Sequence, residues 1–182
     1  PSVGSMASAA ATLPHAWRIE VFLRAQFDDP AGRRALGALR ELGVHSASSI
    51  RLGRGYLLSA HVDAAAVARI ARDLLVDPVL EVARIIEPGA RPEPQSSGVH
   101  RVLVMRRPGV MDPVAMTVER ALERAEFAAP SAAQRVRVLT FSAWELAGTL
   151  SRAQLETAGT KLFANDVIDE LFIDDEALHF HL

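Results

Sequence analysis

The chain repeats itself, and that feature limits its architecture more than any other. Residues 17–30 (WRIEVFLRAQFDDP) line up with 100–113 (HRVLVMRRPGVMDP) at an offset of 83. Arg18 falls on Arg101, Ile19 on Val102, Val21 on Val104, and Asp29-Pro30 on Asp112-Pro113. Further along, 76–82 (VDPVLEV) fall on 164–170 (ANDVIDE) at an offset of 88. Between these anchors Leu39 meets Leu122, Ile50 meets Val138, Tyr56 meets Trp144 and Leu58 meets Leu146. The change of offset fits a longer loop within 127–134 of the second copy. Self-similarity on this scale means that both halves fold into one kind of unit, which excludes a single large domain.

The punctuation of the chain gives the boundaries. Residues 1–16 are small and aperiodic and read as a disordered or tag-derived lead; 17–87 form copy one; 88–98, rich in Pro, Gly and Ser, form a linker; 99–176 form copy two; 177–182 remain as a tail. A unit of this size buries only about 60% of the surface of its unfolded chain. Two copies in one chain therefore predict an intramolecular pseudo-dimer, in which each copy covers the sheet face that the other leaves bare.

Each copy reads as strand, helix, strand, strand, helix, strand. Ile19, Val21 and Leu23 alternate with Arg18, Glu20, Phe22 and Arg24, as in a strand with one buried face. Asp29 offers an N-cap and Pro30 the first helical position, where a missing N–H is harmless. Ala35, Leu39 and Leu42 make the buried stripe, and Gly43 the stop. Gly53-Arg54-Gly55 predicts a hairpin turn between strands over 45–52 and 55–62, since glycine accepts the positive φ of such turns. Asp63 caps a second helix, and a last strand follows Pro78. In copy two Asp112-Pro113 and the capping box Ser151-Arg-Ala-Gln154 open the two helices. The fold class is α+β: two ferredoxin-like β-α-β-β-α-β units, each expected to hold four antiparallel strands with two helices on one face.

Composition removes several functions. Zero cysteines exclude disulfides, thiolate zinc sites and cysteine nucleophiles. A net charge of −2 and 5% aromatic residues give neither the basic field nor the stacking platform of an RNA reader. Copy one carries 10 arginines against 9 acids and copy two 9 basic residues against 12 acids, so the copies differ electrically. No apolar run reaches the roughly 18 residues of a membrane span, and the chain reads as cytoplasmic. Gly53-Arg54-Gly55 is not a dinucleotide fingerprint, because no helix follows it. His179 and His181 lack a third ligand nearby, so no metal site is expected. Asp28-Asp29 and Asp169-Glu170 are the available carboxylate pairs, but Asp29 is already employed as a cap, and no serine has a matching His and acid.

Asp29-Pro30-Ala31-Gly32, Ile50-Arg51-Leu52-Gly53 and the stretch 74–81 of copy one, with 108–113 and 162–170 of copy two, resemble the PurS family, the small subunit of phosphoribosylformylglycinamidine synthase. The resemblance spans nearly all of 17–175. Ala115, in place of the family's glycine, and Phe141-Ser142-Ala143, opposite Gly53-Arg54-Gly55, are departures. What the resemblance implies is a non-catalytic component of purine biosynthesis, which bridges a synthetase (PurL-like) and a glutaminase (PurQ-like) and aids ammonia transfer between them. It implies no cofactor on this chain, with ATP, magnesium and glutamine used by the partners, and neither nucleic acid nor membrane; self-association stays open. The partner-interface candidates are Asp29, Pro30, Gly32, Arg51, Gly53, Arg54, Arg107, Asp112, Pro113 and Asn165.

Two other readings share the element order. A tandem ACT-like regulatory domain would bind an amino acid between the copies, and Arg107-Pro108-Gly109-Val110 resembles the turn such domains place after their first strand. Copy one lacks that Pro-Gly. An RNA-recognition module ranks last, for want of aromatics and basic charge.

Overall fold

The computed structural model describes residues 15–90, 97–124 and 135–174. The expected lead up to residue 14, most of the linker, the loop over 127–134 and the histidines at 179 and 181 lie outside the described residues. Copy one runs β1 (Ala16–Leu23), α1 (Pro30–Glu41), β2 (Ala47–Ser59), α2 (Ala64–Ile70) and β3 (Glu81–Ile86). Copy two runs β4 (Val99–Arg106), α3 (Pro113–Arg124), β5 (Val138–Gly148), α4 (Arg152–Ala158) and β6 (Asp169–Ile173). The second helix of each copy continues as a π-helical turn, over Ala71–Leu75 and over Gly159–Phe163.

The ladder registers reproduce the sequence repeat. Ile19 faces Tyr56 on one side and Ile85 on the other. Its equivalent Val102 faces Trp144 and Ile173. These are the positions matched by the offsets of 83 and 88, so the longer loop does lie between the first helix and the middle strand of copy two. Both units are α+β and ferredoxin-like, with antiparallel strands and their helices on one face.

Two expectations are corrected. Gly53-Arg54-Gly55 does not turn the chain; it lies inside β2, a single strand of 13 residues, and the matching β5 has 11. Each copy therefore contributes three strands rather than four. The glycines serve a close approach: an added Cβ at Gly53 would come within 2.6 Å of the Phe22 ring, and one at Gly55 would overlap the ring of Phe141. Glycine inside a strand often marks such a contact. Two aromatic rings lie flat on the strand, and the backbone stays extended. The second correction concerns how the copies join. Neither covers the other's sheet face; β2 and β5 pair edge to edge, and the result is one six-stranded sheet in the order β3-β1-β2-β5-β4-β6.

All four helices pack on the same face. One cluster gathers Ile19, Val21, Tyr56 and Leu58 under Val67 and Ile70 of α2 and Val118 and Leu122 of α3. The other gathers Ile50, Val102 and Leu146 under Leu39 of α1 and Leu155 and Ala158 of α4. Each cluster mixes helices from both copies, so neither copy owns a complete core. The opposite face is also buried: Phe22, Leu57, Leu103, Phe141, Ala143 and Phe172 form a third cluster to which no described helix contributes. β1, read from its alternation as buried on one face, is thus buried on both.

Gly32 fixes the seat of α1. A Cβ there would overlap the Ile50 carbonyl oxygen, a backbone atom that cannot swing away. Gly37, exposed on the same helix, has nothing within 4 Å of its added Cβ. Gly32→Ala is expected to destabilise the protein by about 2–3 kcal/mol through overpacking. Gly37→Ala is expected to stabilise it by about 0.5–1 kcal/mol. Urea denaturation of the two variants checks the pair, and equal effects would contradict this account of α1.

Candidate functional site

The Asp-Pro motifs fasten helix to sheet. Asp29 accepts from the Gly32 N–H at 2.9 Å as the N-cap of α1 and, through its other oxygen, from the Leu52 N–H at 2.7 Å. Leu52 is the first β2 residue past the end of the β1 ladder, which closes at Phe22↔Gly53. The carboxylate thus satisfies an amide that β1 no longer reaches. Asp112 does the same in copy two, accepting from Ala115 N–H at 2.9 Å, Thr140 N–H at 3.0 Å and the Thr140 hydroxyl at 2.8 Å. Pro30 and Pro113 begin the two helices. The motif carries a strong architectural reason in each copy.

The middle strands meet on a pseudo-twofold axis. Arg54 pairs with Ser142, its own equivalent at the 88-residue offset, and the ladder extends through Arg51↔Glu145 to Ala47↔Gly148 on one side and through Leu57↔Leu139 to Leu58↔Val138 on the other. On the helical side Arg54 donates to both Glu81 carboxylate oxygens at 2.7 Å and to the Leu75 carbonyl at 3.2 Å. Tyr56 beside it is buried, and that burial pushes its hydroxyl pKa upward. On the opposite side Arg51 donates to the Leu23 carbonyl at 2.6 Å and stands over the Phe22 ring at 5.3 Å.

The same side holds a charge cluster that sequence reasoning assigned to solvent. Glu20, fully buried, accepts from both Arg18 and Arg101, one from each copy. Glu145 accepts from Arg84 at 2.6 Å, with Arg51 at 3.6 Å, again across the copies. Burial resists ionisation of Glu20, but Arg18 and Arg101 outweigh it and hold the carboxyl below its ordinary range. Burial pulls Arg18 below the ordinary guanidinium value against the attraction of Glu20, and Arg101 and Arg84 add to that lowering. The superposition of Arg18 on Arg101 in the repeat was the one available signal. Period-two alternation hid the cluster, because a strand buried on both faces has no solvent side.

The remaining candidates lie at turns. Asn165 accepts from the Val167 N–H at 3.0 Å through its side chain, as Asp77 accepts from Val79 at 2.8 Å and Leu80 at 3.0 Å in copy one. Arg107 donates to the Asp166 carbonyl at 3.1 Å. It opens a turn closed by Val110 N–H to its carbonyl at 3.1 Å, with Gly109 at φ +83°.

Two clefts bring part of the candidate set together, and both flank the first turn of α3. The larger, about 340 Å³, is lined by Arg54, Tyr56, Val104, Asp112, Pro113 and Phe163, among others, and so draws on both copies. The other, about 270 Å³, is lined by Met105, Arg107, Val110, Asp112, Met116 and Glu170, among others. Asp29, Pro30 and Gly32 stay at α1, Arg51 and Gly53 belong to the opposite face, and Asn165 to the β6 turn. Among the described residues no group of three His, Asp or Glu side chains could hold a metal ion, and no helix is long and apolar enough to cross a membrane.

These features define a tandem ferredoxin-like protein whose two units share one sheet, one pair of cores and one ionic cluster. The family model of PurS, phosphoribosylformylglycinamidine (FGAM) synthase, matches residues 16–87 and again 99–176. The chain belongs to that family, which places it with FGAM synthase in purine biosynthesis. No curated protein matches it.

The charge cluster generates a pH prediction. Because the folded pKa of Glu20 is depressed, its contribution to stability is fully present above the ordinary glutamate range, roughly pH 4.3. That contribution is lost as pH falls through the lower folded value. Glu20→Gln, which leaves two buried guanidiniums without their carboxylate, should cost about 3–5 kcal/mol at neutral pH. The variant should also lose part of the wild-type fall in stability at acid pH. Urea midpoints from pH 7 to pH 3 test both statements; parallel curves for the two proteins would refute the second.

Proposed function

We propose that the chain is a non-catalytic assembly component of FGAM synthase, holding the ATP-dependent synthetase and the glutaminase in one complex and aiding the passage of ammonia from one to the other. The observation that carries this reading is the pairing of two PurS-matching units through β2 and β5 into one continuous sheet. A covalent pair offers partners two linked surfaces at a fixed separation, so the second contact forms at a high effective concentration. ATP, magnesium and glutamine belong, on this reading, to the partners.

The candidate residues divide accordingly. Asp29, Gly32, Asp112 and Gly53 have demanding internal roles, and their substitution is expected to act through stability. Pro30, Arg54, Arg107, Pro113 and Asn165 are exposed and form the part of the set open to a partner, and of these Arg54, Arg107 and Pro113 line the two clefts.

The test is reconstitution with the synthetase and glutaminase of the same organism. Omitting the chain should lower glutamine-dependent product formation at least tenfold, while activity driven by an ammonium salt persists in the synthetase. Glutamine-dependent turnover that is unchanged without the chain would remove the assembly role.

A further inference from the structure

The two copies differ in what they show around the first turn of their leading helix. In copy one, Asp28 and Arg33 form an exposed ion pair at 2.5 Å. Their equivalents at the 83-residue offset are Met111, 71% exposed, and Met116, 40% exposed, with Val114 between them at 53%. Three large apolar side chains thus share one exposed turn whose counterpart in copy one is polar, and adjoining exposed apolar side chains are what an interaction site presents. Methionine in addition adapts its shape to what it meets.

The clefts on either side have a common origin. Where copy one has Gly32, copy two has Ala115, buried at 4%. A methyl group cannot take the approach that Gly32 makes to the Ile50 carbonyl, so α3 must stand further from its strand than α1 does. The space that results lies beside Pro113 and Val114 in one cleft and beneath Ala115 and Met116 in the other.

Charge at this surface is layered. Arg106 is 41% exposed above an Asp169 carboxylate at 12%, and Arg137 is 62% exposed above Glu119 at 26%. Arg107 is exposed, and its described hydrogen bond goes to a backbone carbonyl. The guanidiniums thus form the outer rim and the acids lie beneath them. A second copy docking through the same face would set one cationic rim against another, whereas an acidic partner would be drawn to it.

We propose that the first turn of α3 and its flanking clefts dock a segment of a partner subunit that presents aliphatic or aromatic side chains flanked by carboxylates, and that copy one has no equivalent site. Each chain then engages one such partner, not two. This inference rests on the assembly reading above.

The experiment measures binding of the full chain to the separately purified synthetase and glutaminase subunits. Met111→Asp/Met116→Arg transplants the ion pair of copy one onto copy two and, lying on the surface, should leave the melting temperature unchanged. It is expected to weaken one of the two partner interactions at least tenfold. Arg107→Glu should weaken the same interaction and reduce its sensitivity to salt. Leu42→Asp, at an exposed apolar residue of copy one, should bind as wild type. Wild-type affinity in the double variant, with the unmodified chain joining the complex, would overturn this site alone. Failure of the unmodified chain to bind either subunit would overturn the assembly reading with it. A wild-type dimer that the double variant converts to monomer would assign the surface to a second copy and overturn the proposal.

Discussion

Everything in this protein depends on the antiparallel pairing of β2 with β5. Each strand is the longest of its copy, and the register is centred on two residues that are equivalent by repeat, Arg54 and Ser142. This is the geometry of an isologous contact, in which the same surface meets itself across a twofold axis. Here the two surfaces belong to one chain, so the contact forms without the translational entropy that separate subunits lose on association. Because the helices of both copies then converge on shared clusters, the sheet joins two incomplete cores into complete ones.

The glycines of β2 and the charges behind them follow from that pairing. Gly53 and Gly55 keep the helix-free face low enough for Phe22 and Phe141 to lie against the strand, and Arg18, Arg51 and Arg84 stand over those rings at 4.7–5.3 Å. Glu20 and Glu145 then tie arginines of opposite copies. Two carboxylates serve four guanidiniums there, and the Glu20 carboxylate and Arg101 Nε each keep an atom without a hydrogen-bond partner among the described residues. Buried polar groups in such an arrangement are expensive to disturb, since removing one partner leaves the other uncompensated. The cluster thereby favours one register of β2 against β5 over its neighbours.

Fusion also frees the two copies to diverge. Identical subunits of a dimer must carry the same residue at both ends of the axis, but a tandem chain can place Gly32 on one side and Ala115 on the other. The asymmetry is local: strand registers agree throughout the repeat, while the first helical turn changes from a polar, closely seated one to an apolar one flanked by space. A single methyl group at a point of backbone contact is enough to change what the surface can receive.

The sequence by itself determined the repeat and its two offsets, the Asp and Ser caps, the helix faces except at Leu42, which the stripe of α1 placed inside and which is exposed at the end of that helix, the α+β class and the family, because each is written in short-range pattern: spacing, capping chemistry and periodicity. It also placed Arg54, Arg107, Asp112 and Pro113 among the residues of interest, without showing that clefts beside α3 bring Asp112 together with Arg54 and Pro113 on one side and with Arg107 on the other. Only the tertiary structure decided that Gly53-Arg54-Gly55 is strand and not turn, that the copies join by their edges and not their faces, and that Arg18, Glu20 and Arg101 are interior. The physical reason is the same in each case. A glycine permits a turn and a close approach equally, and a charged residue at alternate positions signals solvent only if nothing lies on that side of the strand. What does lie there comes from residues some 80 to 95 positions away, such as Arg101 against Glu20 and Glu145 against Arg51, a separation at which local pattern carries no information.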